Sequence, residues 1–189
     1  MEAEPPRKKT RTEKSQPSSL DGMSNEKQFW LMKAEPESRL VNGQDVKFSI
    51  DDLKKMEISP WDGVRNAEAS KLMKERMKVG DLAFFYHSNC KNPDLKIKIH
   101  KEAYPDYTAW DKNHPYYDIK STKEKPKWYM VDVKYLRHLS RFISLYELKK
   151  YKEGALKNMM LLRRPRLSVQ NVTSYQWDFI LGLEKEEVT

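Results

Sequence analysis

The sequence predicts a mixed α+β domain built on a barrel-like sheet, preceded by a tail with nothing of its own to fold around. Three observations carry that expectation. Apolar stretches of strand length recur with period-two alternation, as in Leu95, Ile97 and Ile99 against Lys96, Lys98 and His100. Short helices announced by Ser or Thr caps lie between them. Of the 189 residues, the first 26 offer almost nothing to bury, which leaves little chain for the crossovers a parallel sheet needs.

Residues 1–26 are rich in Pro, Ser, Lys and Glu, a composition that favours disorder. Within them Pro5-Pro6-Arg7-Lys8-Lys9-Thr10, followed by Arg11, forms a compact basic cluster of the kind a nuclear import receptor reads. The tail holds as many acidic as basic residues, so the formal charge of +8 belongs to the domain. A basic domain attracts polyanions, and nucleic acid is the commonest of these. The domain is expected over 27–184, with 185–189 as a short C-terminal tail.

In chain order, Phe29-Trp30-Leu31-Met32 is a short apolar run that reads as a buried strand, halted by Pro36. Ser49 and Asp52 have capping-box spacing ahead of a helix through Met56. Ser59-Pro60 breaks the chain before Trp61-Asp62-Gly63, where glycine after aspartate signals a turn. A helix is expected from Val64 to Met77, with Leu72, Met73 and Met77 on its inner face and Gly80 ending it. Leu82 to His87 reads as a second buried strand, and Tyr129, Val131, Val133 and Tyr135 alternate as another. Between them, 104–127 is a long polar loop with Tyr104, Tyr107, Trp110, Tyr116 and Tyr117, and loops of that length are usually functional. Ser144 with Glu147 opens a helix to about Tyr151, and Met159 to Leu162 reads as a strand. Thr173 with Gln176 caps a last helix that buries Trp177, Ile180 and Leu181.

Some functions are disfavoured by the residues themselves. Cys90 is the single cysteine, so no intrachain disulfide forms, as befits a reducing compartment. His87 and Cys90 make at most half a metal site, and no second Cys/His pair completes it; no cofactor is expected. No apolar run approaches a membrane span, and no membrane partner is expected. No phosphate-cradling glycine loop, nucleophile elbow or zinc-deaminase pattern is present. What remains is a binding surface. Trp61 beside the start of a helix offers a flat ring next to free backbone N–H groups, which suits a ligand with a π-face and a phosphate.

Five longer stretches carry a resemblance. Trp30-Leu31-Met32-Lys33-Ala34-Glu35-Pro36, Trp61-Asp62-Gly63-Val64-Arg65-Asn66, Phe85-Tyr86-His87-Ser88-Asn89-Cys90, Glu102-Ala103-Tyr104-Pro105-Asp106 and Arg166-Leu167-Ser168-Val169-Gln170 resemble the EVE domain, in order, from about Phe29 to Leu183. Ala34 stands where the family commonly has serine. The stretch from Lys91 to Lys101 lacks the family's Gly-Ile-x-Gly run, which puts the register of Leu95 to Ile99 at issue, since a one-residue slip reverses every side chain.

The resemblance implies a PUA-like mixed barrel with short flanking helices, related to YTH domains. It implies a nuclear, non-enzymatic module, expected as a monomer, that reads a modified base in nucleic acid. The expected ligand is 5-hydroxymethylcytosine, in DNA rather than RNA. Such a base must be everted, the cost being offset by stacking and by hydrogen bonds to its edge. Trp30, Trp61 and Tyr86 are then expected as aromatic walls, and Lys33, Asn66, His87, Ser88 and Ser168 as polar groups of the pocket. Arg65, Arg163, Arg164 and Arg166 are expected to hold flanking phosphates. Two alternatives stand beside this. One is a glycosylase-type enzyme using Glu35 or Asp62; the other is a protein-binding adaptor that docks through the tyrosine-rich loop at 104–117.

Overall fold

Alternating burial sorts the side chains of β1 (Phe29–Ala34) between two cores: Trp30, Met32 and Ala34 enter one, Leu31 the other. The computed structural model describes residues 27–88 and 93–186, so the basic cluster at 5–10, Cys90 and the chain end beyond 186 lie outside the described residues. After β1 comes a two-stranded ribbon, β2 (Leu40–Val41) and β3 (Gln44–Asp45), then α1 (Ile50–Met56), β4 (Ile58–Pro60) and α2 (Ala67–Glu75). β5 (Leu82–His87), β6 (Pro93–Pro105) and β7 (Tyr129–His138) follow, and α3 (Leu145–Lys150), α4 (Met160–Arg163), β8 (Val169–Val172) and α5 (Ser174–Leu183) complete the fold.

Six strands form one sheet in the order β4-β7-β6-β5-β1-β8, in which only β1 and β5 pair in parallel. On one face, Trp30, Met32, Phe85, Ile97, Ile99, Val131 and Val133 pack with Leu53 of α1 and Met73 of α2. On the other, Leu31, Phe84 and Tyr86 pack with Leu148 of α3, Leu161 of α4 and Trp177 and Ile180 of α5. The sheet is curled. Five strand spacings in a flat sheet would separate its edges by about 24 Å, yet Pro60 at one edge and Ser168 beside the other line the same cleft. Register shifts along β6, after Lys96, Ile99 and Lys101, supply the bending. The expected barrel is corrected in one respect: β4 and β8 are not hydrogen-bonded to each other, so the sheet stays open along that seam.

The capping boxes at Ser49–Asp52 and Thr173–Gln176 form with both reciprocal bonds. At Ser144 only half the box forms. Its hydroxyl accepts from Glu147 N–H at 3.0 Å, while the Glu147 carboxylate is taken by Arg141 at 2.6 Å. Three expectations are corrected. The helix expected from Val64 begins at Ala67 and ends at Glu75, short of Gly80. The apolar run at Met159 is the helical turn α4 rather than a strand. The loop expected from 104 starts later, because β6 continues to Pro105. Within β6, Ile97 and Ile99 are fully buried, so these two side chains face inward. No helix among the described residues is long and apolar enough to cross a membrane.

Candidate functional site

Where β4 ends, Pro60 cannot continue a ladder as a donor, and the chain turns inward. Trp61 N–H donates to Val131 O at 2.8 Å, which drives the indole into the core against Phe85, edge-on at 5.3 Å between centroids. Gly63 follows with φ +71, a left-handed conformation, and a Cβ there would lie 2.6 Å from the ring of Tyr116. Glycine is therefore required twice over, by backbone and by space. The Tyr116 ring, carried in by the long loop, lies directly on this turn.

A clasp fixes that arrangement. Asp106 is fully buried and accepts from Gly63 N–H at 3.1 Å, from Arg65 Nη1 at 2.7 Å and from Thr108 N–H at 3.0 Å. Arg65 donates further through Nε to Tyr116 O at 2.7 Å and through Nη2 to Thr108 Oγ1 at 3.1 Å. One guanidinium thus ties the turn after β4 to the start and the middle of the loop. The β2–β3 ribbon, closed by Asn42 (φ 50) and Gly43 (φ 80) as a hairpin turn, is tied to the same loop. Asn42 Nδ2 donates to Pro115 O at 3.0 Å and Gln44 Nε2 to Asn113 O at 2.6 Å.

These parts enclose a cleft of about 570 Å³, a size typical of small-ligand sites. Phe48, Trp61 and Tyr116 supply its aromatic surface; Glu35, Arg39, Asp45, Lys47 and Asp62 supply charge. Glu35 pairs with Arg39 at 2.5 Å, and Asp45 accepts from the backbone N–H of Arg39 at 3.0 Å and of Lys47 at 3.1 Å. Asp62 differs: it accepts no hydrogen bond and forms no ion pair among the described residues. The residue is exposed toward the cleft, and partial desolvation by the cleft walls, with Asp106 nearby, pushes its carboxyl pKa up. Burial likewise pushes the Tyr116 phenol up.

The sequence-predicted residues divide into two groups. Lys33, Trp61, Arg65, Asn66 and Ser168 all border the cleft. Trp30, Tyr86, His87 and Ser88 do not line it. Trp30 as an aromatic wall is corrected, because it is fully buried and its indole N–H donates to Asp81 Oδ2 at 3.0 Å. Tyr86 is corrected too: on β5 it points to the opposite face of the sheet from Phe85 and packs with Leu31 and Phe84. His87 is buried, and its Nε2 accepts from Ile50 N–H at 3.2 Å at the start of α1. Ser88 meets β1 through its backbone, donating N–H to Ala34 O at 2.7 Å.

Among the polar residues of the cleft, Asn66 caps α2, with Oδ1 accepting from Ala69 N–H at 2.9 Å. Lys33 donates Nζ to Pro165 O at 2.6 Å, and burial lowers its pKa. Of the expected phosphate ligands, Arg65 is corrected to the structural clasp described above. Arg164 forms a two-pronged pair with Glu68, at 2.5 and 2.6 Å, on the surface, and Arg163 donates to Asn158 Oδ1 at 3.0 Å. Arg166 is exposed and makes no hydrogen bond or ion pair among the described residues. With Asn66, Arg164, Pro165 and Leu167 it lines a second, shallower hollow of about 290 Å³, and Asn66 borders both openings.

Sequence reasoning missed Phe48 and Arg39 as cleft residues and placed Tyr116 only in a loop. For Tyr116 the available signal was the loop's length and its tyrosines. Phe48 gave none, since a phenylalanine before a helix cap is ordinarily core. The same loop loses much of its adaptor character. Tyr104 donates its hydroxyl to Asp132 and Tyr116 faces the cleft, while Tyr107 stays exposed.

The chain's relatives are consistent in kind. The family model described as the EVE domain matches residues 28–183. Thymocyte nuclear protein 1 of Homo sapiens is 51% identical over 175 residues, 87% of this chain and 77% of that protein. Its counterpart in Danio rerio is 54% identical, over 84% of this chain and 72% of the relative. Among solved structures, human THYN1 protein in complex with 5-methylcytosine containing DNA superposes with a TM-score of 0.82 at 52% identity, covering 85% of this chain and 99% of that one. A protein from Leishmania major superposes at 0.75 with 42% identity, covering 85% and 96%.

Proposed function

The chain belongs to the EVE domain family, and from that premise we propose that it is a non-enzymatic nuclear module that binds a modified cytosine in DNA. The carrying observation is the coincidence, at one place, of a nucleoside-sized cleft with aromatic surface and a neighbouring hollow rimmed by the unpaired Arg166. An everted base enters the cleft and meets Phe48, Trp61 and Tyr116; the strand on either side of it crosses Asn66 and Arg166. The relative solved with 5-methylcytosine containing DNA supports this reading. 5-Hydroxymethylcytosine is the ligand we favour, because the cleft's lining is polar as well as aromatic and offers partners for a hydroxyl. Import through the basic cluster at 5–10 would bring the protein to that DNA.

Competition among otherwise identical oligonucleotides carrying cytosine, 5-methylcytosine or 5-hydroxymethylcytosine, at one salt concentration, tests the reading. The hydroxymethylated strand should bind most tightly and be recovered chemically unchanged. Equal binding of all three would remove the modified base from the proposal, and a released base would mark an enzyme. Tyr116→Ala should cut affinity for the modified strand by the worth of one base-stacking contact, about 1–3 kcal/mol. Arg166→Ala should weaken all three strands alike and reduce the slope of log affinity against log salt by about 1. A loss confined to the modified strand would instead place Arg166 at the base.

A further inference from the structure

The acids in and around the cleft are engaged, with one exception. Glu35 holds Arg39, Asp45 accepts two backbone N–H groups, Asp106 holds Arg65, and Glu68 holds Arg164. Asp62 lines the cleft between Trp61 and Gly63 and has no such partner among the described residues. Its backbone is held in place on either side, Trp61 by Val131 and Gly63 by Asp106, so the side chain starts from a fixed point on the cleft wall. A carboxylate positioned beside an aromatic surface, with its own acceptor capacity unspent, awaits a donor from the ligand.

We propose that Asp62 is the acceptor that selects, within the cleft, a nucleobase bearing an exocyclic amino group over one bearing an oxo group, an inference that rests on the cleft being the base site. The amino group at position 4 of cytosine donates; the oxygen at position 4 of thymine or uracil accepts, and would face the carboxylate as one acceptor against another. On a 5-substituted cytosine the amino group and the substituent are adjacent on one edge of the ring. Among pyrimidines, one carboxylate therefore confines recognition to cytosines, whatever the 5-substituent is, and rejects the deaminated base that carries the same substituent.

Thymine is 5-methyluracil, so 5-methylcytosine and thymine form a matched pair that differs at position 4 and in the protonation of N3. Fluorescence anisotropy with short single strands differing only in that base removes the cost of breaking a base pair. Wild-type protein should prefer the 5-methylcytosine strand by about tenfold, within the range a specific edge contact provides. In Asp62→Asn, whose amide can donate to the oxo group, the ratio should fall to parity or invert. In Asp62→Ala it should fall to parity. Neither substitution removes an internal hydrogen bond, so both variants should melt with the wild type, and a melting scan checks this. If wild type binds both strands equally, or Asp62→Asn keeps the wild-type ratio, the assignment of Asp62 is overturned while the cleft stands. If wild type binds neither strand, nor a hydroxymethylated one, the base-binding reading itself fails.

Discussion

Arg65→Ala is expected to lower the stability of the domain by about 3–5 kcal/mol, the usual consequence of stranding a buried charge. Asp106 is fully buried, and its carboxylate accepts from the Arg65 guanidinium at 2.7 Å. Removing the guanidinium leaves that carboxylate without its counter-ion and deprives Tyr116 O and Thr108 Oγ1 of a donor. Lysine should rescue little, because one ammonium cannot reach three partners that lie along a planar fork. In a domain of this size each kcal/mol shifts the melting temperature by about 2–4 °C, so a thermal scan should show a fall of roughly 6–20 °C. Adding Asp106→Asn should recover part of the loss by removing the stranded charge. A shift below about 2 °C in the single variant would mean that the clasp does not hold the turn. Weaker DNA binding by this variant would report a collapsed cleft rather than a lost phosphate contact.

Trp61→Ala should cost a comparable amount, about 3–5 kcal/mol, and should also erase preference for the modified base. Trp61 is 6% exposed, and its indole packs edge-on to Phe85 and lies 6.1 Å from Phe48 between centroids. Truncation leaves a cavity that the surrounding sheet cannot close, and it removes part of the cleft's floor. Both effects share one side chain, so the comparison with Trp61→Phe is informative: it should restore most of the stability and part of the preference. Equilibrium denaturation and the oligonucleotide competition, run on both variants, separate the two. An alanine variant that melts with the wild type would show that Trp61 is not structural. One that stays folded and still discriminates would remove it from the base site.

What was legible in the sequence was what short range determines. Ser49 and Asp52, or Thr173 and Gln176, lie three residues apart and complete their caps with no help from elsewhere. Strand alternation in β6 and β7 is equally local. What was not legible depends on partners far along the chain. Val64 and Arg65 fit a helical pattern, but Arg65 is drawn out of it by Asp106, 41 residues away, and the helix starts after Asn66. Trp30 read as a pocket wall because nothing nearby announced Asp81, 51 residues on, as the acceptor for its indole. The run at Met159 was ambiguous by nature, since four apolar residues have no period, and a single turn of helix buries them as well as a strand would. The cleft followed the same division. Its motif residues were visible, but Phe48, Arg39 and Tyr116 join it only through the ribbon and the loop.

The unzipped seam between β4 and β8 has a consequence for how wide the ligand's berth is. In a closed barrel that width is dictated by strand number and stagger, and altering it means rebuilding the ladder. Here the cleft's wall of turn, ribbon and loop is held by side chains: a guanidinium on one carboxylate, and two amides on a loop. Aperture and strand register are therefore uncoupled, and a substitution among those few groups would retune the one while leaving the other untouched.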